Sequence, residues 1–451
     1  MPRRLTVALL ATAAVAVVSA PAAEAKWKSK SKSGADVRFA TFNASLNRSE
    51  AGHLVDDLSN PGRDTARLRQ ARNVAEVIQR AAPDVVLINE FDFYEDGQAA
   101  ELFRDNFLEV SQNGAPAADY PYYFVAPSNT GIPSGFDLDN NGDTNPNDRG
   151  NDAFGFGAFD GQFGMVVYSK FPIDHRKART FQKFLWKDMP GARLPNDPAT
   201  PAPADWYSPA ELNVFRLSSK SHWDIPIRIG RETVHFLTSH PTPPVFDGPE
   251  DRNGTRNFDE IRFFADYVTP GRGGYIYDDK GRRGGLKRGA QFVIAGDQNS
   301  DPLDGDSIPG AIQQLLDNPR VNDGNAPSSS GAVEATVLQG GANDTHRSDP
   351  QFDTADFSDT APGNLRADYV LPSRKIDIED SAVFWPLQRD PLFRLTGVFH
   401  PVWAAPPPDG VGGFPTSDHR LVWVDVDVPG AGRDDDEDDD SDSDSDSDSD
   451  D

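Results

Sequence analysis

The chain is 451 residues long, carries a formal net charge of −27 and contains no cysteine. Without cysteine, thiol nucleophiles, Cys-ligated zinc and disulfides are excluded. The acidity weighs against a positive stripe that would track a long polyanion, although residues 272–288 form a local basic stretch.

In chain order, Arg3 and Arg4 precede an apolar run over residues 5–18 and a small-x-small site at Ala23-Glu24-Ala25. This pattern predicts a secretory signal peptide over 1–25 and export, followed by a linker over 26–36. The run is shorter than the ~20 residues a spanning helix needs, and no second such run follows, so no stable membrane insertion is expected. An exported chain without disulfides must draw its stability from a large core or from bound metal. At the other end, residues 434–451 are Asp, Glu and Ser and hold 13 acidic groups. With nothing apolar to bury, 431–451 is expected to be a disordered, solvating Ser-Asp tail. What remains exceeds the ~100–200 residues usual for a domain, which fits one large domain over 37–430 with insertions, or two domains.

Residues 37–42 have β-rich composition and end at Asn43. Helical periodicity then runs over 63–82 through Leu68, Ala71, Val74, Ala75 and Ile78, and Pro83-Asp84 stops it. Residues 85–88 form a continuous apolar run of buried-strand type that delivers Glu90 just past its end. Further strands are expected at 164–168, 213–217, 233–237, 291–295, 367–371 and 421–428, with a second helix over 256–268 and no helical pattern between 217 and 233. Strands adjacent in sequence without helices between them predict mixed or antiparallel sheets packed face to face. Helices would lie outside, giving an α/β four-layer sandwich. Stretches rich in Gly, Pro, Asn, Asp and Ser near 93–161, 190–209 and 318–364 read as insertions or surface loops.

Polar islands stand at the ends of these runs: Asn43, Glu90, His240, Asp297 with Asn299, and Ser417-Asp418-His419. Hydrolysis of a phosphoester needs a divalent ion, an activated water and a proton for the leaving oxygen. Asn43, Glu90 and Asp418 are oxygen donors of the kind a hard ion such as Mg2+ or Mn2+ prefers. A His beside an Asp can change charge near neutral pH, and the glycine of Gly-Asp-x-Asn permits a sharp change of direction. Singly, each island has a structural explanation as a cap, a solvated strand end or a strand start. A Ser-His-Asp triad is excluded for 417–419, because adjacent residues on a strand point to opposite faces.

Jointly and in this order, the islands resemble the endonuclease/exonuclease/phosphatase superfamily, the deoxyribonuclease-like metallophosphoesterases. The matching segments are Asn43, the Pro-Asp-hydrophobic-Glu segment over 83–90, His240, Gly-Asp-x-Asn over 296–299, Arg-x-Asp-Tyr over 366–369 and Ser-Asp-His over 417–419, spanning 37–428. The resemblance implies that Asn43 and Glu90 hold the metal, with Glu90 the principal ligand. It implies that Asp418 completes that site or holds a second ion. His419 would contact the phosphate and position the attacking water, and Asp368 would orient its other ring nitrogen. Asp297 would handle the proton, Asn299 would donate to a phosphate oxygen, and His240 would act as general acid or phosphate clamp. Two departures stand out: Asn89 precedes Glu90 where many relatives carry Gln, and the insertions are large and bear on substrate choice.

Two further features stand outside this set. Asp137, Asp139, Asn141, Asp143 and Asp148, with Gly142 at position six, fit the spacing of a calcium loop, although position twelve is Asp rather than Glu and no helix pattern flanks it. Lys220, Ser221 and His222 follow the expected strand at 213–217; of two readings for Lys220, a cation facing a phosphate and a surface cation, the second is the expectation. The expectation is therefore an exported, monomeric, divalent-metal-dependent phosphoester hydrolase of phosphodiesterase, nuclease or phosphatase type, with Ca2+ at the loop. Nucleic acid, a phospholipid head group or a small phosphate ester would be its substrate. The competing expectation is a catalytically silent, calcium-binding surface protein on the same fold.

Overall fold

The computed structural model describes residues 34–143, 145–201, 205–397 and 414–432. The expected signal peptide, the linker up to residue 33 and the tail from residue 433 lie outside the described residues. The strands are β1 (Gly34–Asn43), β2 (Val85–Asn89), β3 (Tyr122–Phe124), β4 (Met165–Ser169), β5 (Arg179–Thr180), β6 (His222–Ile229), β7 (Glu232–Ser239), β8 (Gln291–Asp297), β9 (Ala355–Asp356), β10 (Asn364–Leu365), β11 (Asp368–Pro372), β12 (Asp377–Val383) and β13 (Val422–Pro429). The α-helices are α1 (His53–Ser59), α2 (Ala66–Ala81), α3 (Gln98–Phe103), α4 (Pro209–Leu212), α5 (Arg252–Val268), α6 (Gln313–Leu316), α7 (Ser330–Gln339) and α8 (Phe393–Thr396).

Two mixed sheets carry the domain. One runs β12-β13-β1-β2-β4-β3 and the other β11-β8-β7-β6-β5. Their apolar strands are buried on both faces, which is why they read as continuous hydrophobic runs. In β1, β2 and β8, Val37, Phe39, Val85, Leu87, Val293 and Ala295 face the core between the sheets, where Phe39 meets Phe236 at 5.5 Å between ring centroids. The alternate residues Ala40, Phe42, Val86 and Ile88 pack under α1, α2 and α3, while Phe292 and Ile294 pack under α5. The result is the expected four-layer sandwich. Each fully buried aliphatic or aromatic side chain contributes roughly 1.5–3 kcal/mol of transfer free energy to it.

Local chemistry sets the helix ends. Thr65 caps α2 by accepting the Leu68 N–H at 3.2 Å, and Ala82 turns the chain out of it in a left-handed conformation at φ 49°. In each sheet the pair that stands parallel, β1 with β2 and β7 with β8, ends at a common edge. Asn43 and Asn89 end level at that edge in one sheet, and Ser239 and Asp297 end there in the other.

Several expectations are corrected. β1 begins at Gly34, inside the expected linker. Residues 213–217 form no strand: the carbonyls of Arg216 and Leu217 accept from the Arg256 guanidinium at 3.1 and 2.8 Å, and only an isolated bridge joins Leu185 to Arg216. Residues 222–229, left without an element, form β6; Pro226 breaks the sequence signal, yet the strand pairs with β7 along its length. The stretch 93–161 is only partly insertion, since it supplies α3 and also β3, which pairs with β4. Likewise 318–364 contains α7, β9 and β10.

Candidate active site

Glu90 follows β2 at φ 58°, a left-handed conformation that is rare for a residue with a side chain. The turn brings its carboxylate back over β1, where Asn43 Nδ2 donates to Glu90 Oε1 at 3.1 Å and to Asp297 Oδ2 at 3.1 Å. The neighbouring Asn89 joins the two sheets, because its Oδ1 accepts the Asp297 N–H at 3.3 Å and the Thr41 hydroxyl at 3.3 Å. This departure from the family pattern is thus absorbed as a contact beneath the site.

In the second sheet, Gly296 lets Asp297 approach. Its φ is +147°, and a Cβ there would stand 1.9 Å from the Ser239 carbonyl oxygen, so no other residue fits without a shift. β11 pairs with β8 so that Asp368 lies opposite Asp297. His419 enters from the loop before β13, held by an antiparallel bridge to Ala355. Asp297, Asp368 and His419 consequently offer side-chain atoms that all lie within 4.8 Å of one another.

His419 Nδ1 stands 2.8 Å from Asp368 Oδ2, which also accepts the Thr354 hydroxyl at 2.9 Å. The other ring nitrogen, Nε2, points at Asp297 Oδ2 across 3.6 Å, and His240 Nε2 approaches the same oxygen to 3.4 Å. The remaining Asp297 oxygen accepts the Asn299 N–H at 2.8 Å, while the Asn299 amide donates to the Pro241 carbonyl at 3.1 Å. All the expected acid–base residues therefore converge.

The electrostatics divide these groups into roles. Burial pushes Asp297 up to about 7, and the charge of His419 opposes that rise. Burial alone would pull His419 down, but the charges of Asp368 and Asp297 and the hydrogen bond to Asp368 hold it well above the usual imidazole value. His240 goes the other way: burial, then the charges of Lys220 and His419, hold it well below that value. One histidine is thus kept charged and the other neutral within a single cluster.

Asn43, Glu90 and Asp418 stand beside this cluster. Burial and the charge of Asp418 raise the pKa of Glu90, so two carboxylates bear on each other where a cation would relieve them. Glu90 and Asp418 offer carboxylate oxygens, and Asn43 has an amide oxygen that here accepts the Ser45 N–H at 3.3 Å; oxygen donors of this kind fit a hard divalent ion. Asp418 is half-buried; its Oδ1 accepts the Ser417 hydroxyl at 3.3 Å and its carbonyl accepts the Asp356 N–H at 2.8 Å.

Three residues that the sequence did not single out position these loops. Gln70 of α2 places its Nε2 3.2, 2.8 and 2.9 Å from the carbonyls of Ala44, Ser45 and Thr416, tying the segment after Asn43 to the one before Asp418. Glu260 of α5 accepts the Ser219 N–H and hydroxyl on Oε1 at 2.6 and 3.0 Å and the Thr242 N–H on Oε2 at 2.7 Å. One turn earlier, Asn257 donates to the carbonyls of Thr242 and Gln298 at 2.9 and 3.0 Å. An Asn and a Glu three apart on one helix face would have been the only sequence signal. Lys220, expected at the surface, is 8% exposed and buried beside Glu90, Asp297 and Glu260.

The expected calcium loop is a separate feature. Its carboxylates converge differently from the expected spacing: Asp137, Asp139 and Asp152 offer oxygens within 4.8 Å of one another, while Asp143 and Asp148 are not in that group. The chain folds back so that Asp152 Oδ1 accepts the Leu138 N–H at 2.7 Å. Asn141 instead donates its N–H to Asp137 and Asp139 at 3.0 and 3.2 Å. No α-helix flanks 137–148 on either side among the described residues.

Two packed mixed sheets with an Asp–His–Asp cluster at their shared edge define a phosphoesterase of the α/β-sandwich class. The model of the Endonuclease/Exonuclease/phosphatase family matches residues 40–419, and the chain belongs to that family, whose members hydrolyse phosphoester bonds with divalent metals. No curated protein matches the chain at a significant level. Among solved structures, an endonuclease/exonuclease/phosphatase from Beutenbergia cavernae is similar at 15% identity and TM-score 0.45, covering 88% of this chain and 72% of that one. Sphingomyelinase C from Streptomyces griseocarneus is similar at 14% identity and TM-score 0.43, covering 87% and 99% respectively. A Staphylococcus aureus beta toxin solved with bound magnesium ions is similar at 12% identity and TM-score 0.39, covering 86% and 99%. Among the described residues no helix is long and apolar enough to cross a membrane.

Proposed function

We propose that the chain is an exported phosphoester hydrolase that depends on Mg2+ or Mn2+ and uses direct attack by water. The observation that carries this reading is the convergence of Asp297, His419 and Asp368 beside Asn43, Glu90 and Asp418. Asn43, Glu90 and Asp418 would hold the ion, which supplies Lewis-acid neutralisation of charge on the phosphoryl oxygens. Asp297, poised near neutrality, takes the proton of the attacking water and returns it to the leaving oxygen as the ester bond breaks. His419, kept charged by Asp368, donates from Nε2 to a phosphoryl oxygen and stabilises the charge that builds there. The depressed pKa of His240 supports a neutral clamp role over that of general acid. No activated nucleophile stands in this set, so the reading contains no covalent enzyme intermediate.

Export rests on the N-terminal sequence pattern, and the completeness of the acid–base and ligand set counts against a silent surface protein. Substrate candidates are nucleic acid, phospholipid head-group esters and small phosphate esters. The test is a panel of these three classes offered to chelator-treated full-length protein with Mg2+ or Mn2+ added back. Metal-restored hydrolysis of at least one class is expected, and hydrolysis of none with either metal would overturn the reading.

A further inference from the structure

Lys220 follows directly on Ser219, whose N–H and hydroxyl are fixed by Glu260. Its own carbonyl accepts the Asn129 N–H at 2.8 Å, and a Cβ on Gly155 would stand 1.8 Å from the Ser219 carbonyl oxygen. The backbone here is therefore pressed between α5 and the segment around Gly155. β6 begins two residues later with His222 paired to Ser239, so Lys220 and His240 emerge beyond the same end of neighbouring strands.

A buried lysine ordinarily has a partner. Among the described residues, no carboxylate forms an ion pair with the Lys220 ammonium and no acceptor takes a hydrogen bond from it. The nearest anions are otherwise engaged: both Glu260 oxygens are taken by Ser219 and Thr242, Asp297 is shared among Asn43, Asn299 and the two histidines, and Glu90 is bonded to Asn43. Burial pulls the ammonium pKa down, and the charges of Glu260, Glu90 and Asp297 oppose that fall. A cation left out of contact pairing, but facing the residues assigned to the reaction, has the chemistry of a phosphate anchor: a compact point charge with three donors.

We propose that Lys220 binds the phosphate of substrate and product, as a cation of this site additional to His419 and the metal. This rests on the hydrolase reading above. The competing account makes Lys220 a structural counter-charge to the surrounding carboxylates. The two accounts differ in sign. An unpaired buried ammonium destabilises the free protein, so removing it from a binding site leaves the fold as stable or more stable, whereas removing a structural counter-charge weakens it.

The test measures inorganic phosphate binding by calorimetry to the full chain in Mg2+, together with Tm and kcat/KM, for wild type, Lys220→Met and Lys220→Arg. Lys220→Met is expected to weaken phosphate at least ~10-fold and to lower kcat/KM by ~100-fold without lowering Tm, with Lys220→Arg intermediate. Should Lys220→Met not fold, Lys220→Gln, which keeps a donor and loses the charge, is read in its place. Wild-type phosphate affinity and kcat/KM in the uncharged variant would overturn the proposal, as would a fall in Tm with phosphate affinity unchanged. Hydrolysis by wild type that Lys220→Met retains refutes this inference alone. Phosphate binding through Lys220 without hydrolysis of any phosphoester refutes the hydrolase reading alone.

Discussion

Asp368 and His419 are joined through Oδ2 and Nδ1 at 2.8 Å although 51 residues separate them, and both are buried. The pair fixes the imidazole so that Nε2 faces Asp297, and it keeps that ring charged. Catalysis in this site is accordingly a matter of which of three buried groups holds a proton.

Asp368→Asn is expected to lower kcat about 100-fold while leaving the fold intact. Because Asp368 raises the His419 pKa, its removal lowers that value, and the charged imidazole is lost at a lower pH. The alkaline limb of the kcat profile should therefore move toward acid. An alkaline limb identical to that of wild type would show that Asp368 does not act through His419.

Glu260→Ala strands three donors from Ser219 and Thr242. A loss of roughly 2–4 kcal/mol in denaturant unfolding is expected, with kcat falling more than KM rises because Lys220 and His240 lose their common support. Unchanged kinetics in a destabilised variant would confine Glu260 to a structural role.

Asp353, next to the Thr354 that holds Asp368, provides a pH test of stability. Burial, then the charges of Asp301, Asp304 and Asp349, push its carboxyl up to about 8, and Oδ1 has no hydrogen-bond partner. Its folded value lies above the unfolded one of ~3.9, so its stabilising protonation is complete below that value and is lost as pH rises toward 8. Asp353→Asn should therefore gain on the order of 1 kcal/mol over wild type at the alkaline end, about 2 °C in Tm, and little at pH near 4. An equal effect at both ends of the range would contradict this.

For the loop at Asp137, Asp139 and Asp152, millimolar Ca2+ is expected to release heat in calorimetry and to raise Tm, and Asp139→Ala to abolish both. No heat from chelator-treated protein would remove the calcium expectation.

What the sequence discloses and what it hides have physical causes. β2 and β8 are legible because strands buried on both faces are largely apolar, β1 by its β-rich composition over 37–42, and α2 and α5 because their apolar residues recur at helical spacing. β6 is hidden by Pro226, and β12 by Asp377, Glu379 and Asp380, which an edge strand can expose. The acid–base residues are legible because each closes, opens or flanks a strand whose end is visible: Asp297 closes β8, Asp368 opens β11 and His419 precedes β13. Lys220, Glu260 and Gln70 are not, since their meaning lies in contacts between distant segments: Gln70 meets Thr416 across 346 residues. The calcium spacing, a linear pattern, did not anticipate Asp152 folding back onto Asp137 and Asp139.

The most direct measurement is the Mg2+-dependent specific activity of Glu90→Gln and His419→Ala beside wild type, on the best ester of the substrate panel, with folding checked by circular dichroism. Each variant is expected to lose at least ~100-fold in kcat while remaining folded, and excess Mg2+ should restore part of the activity of Glu90→Gln and none of that of His419→Ala. Wild-type activity in either folded variant would contradict the assignment of this cluster as the hydrolytic site.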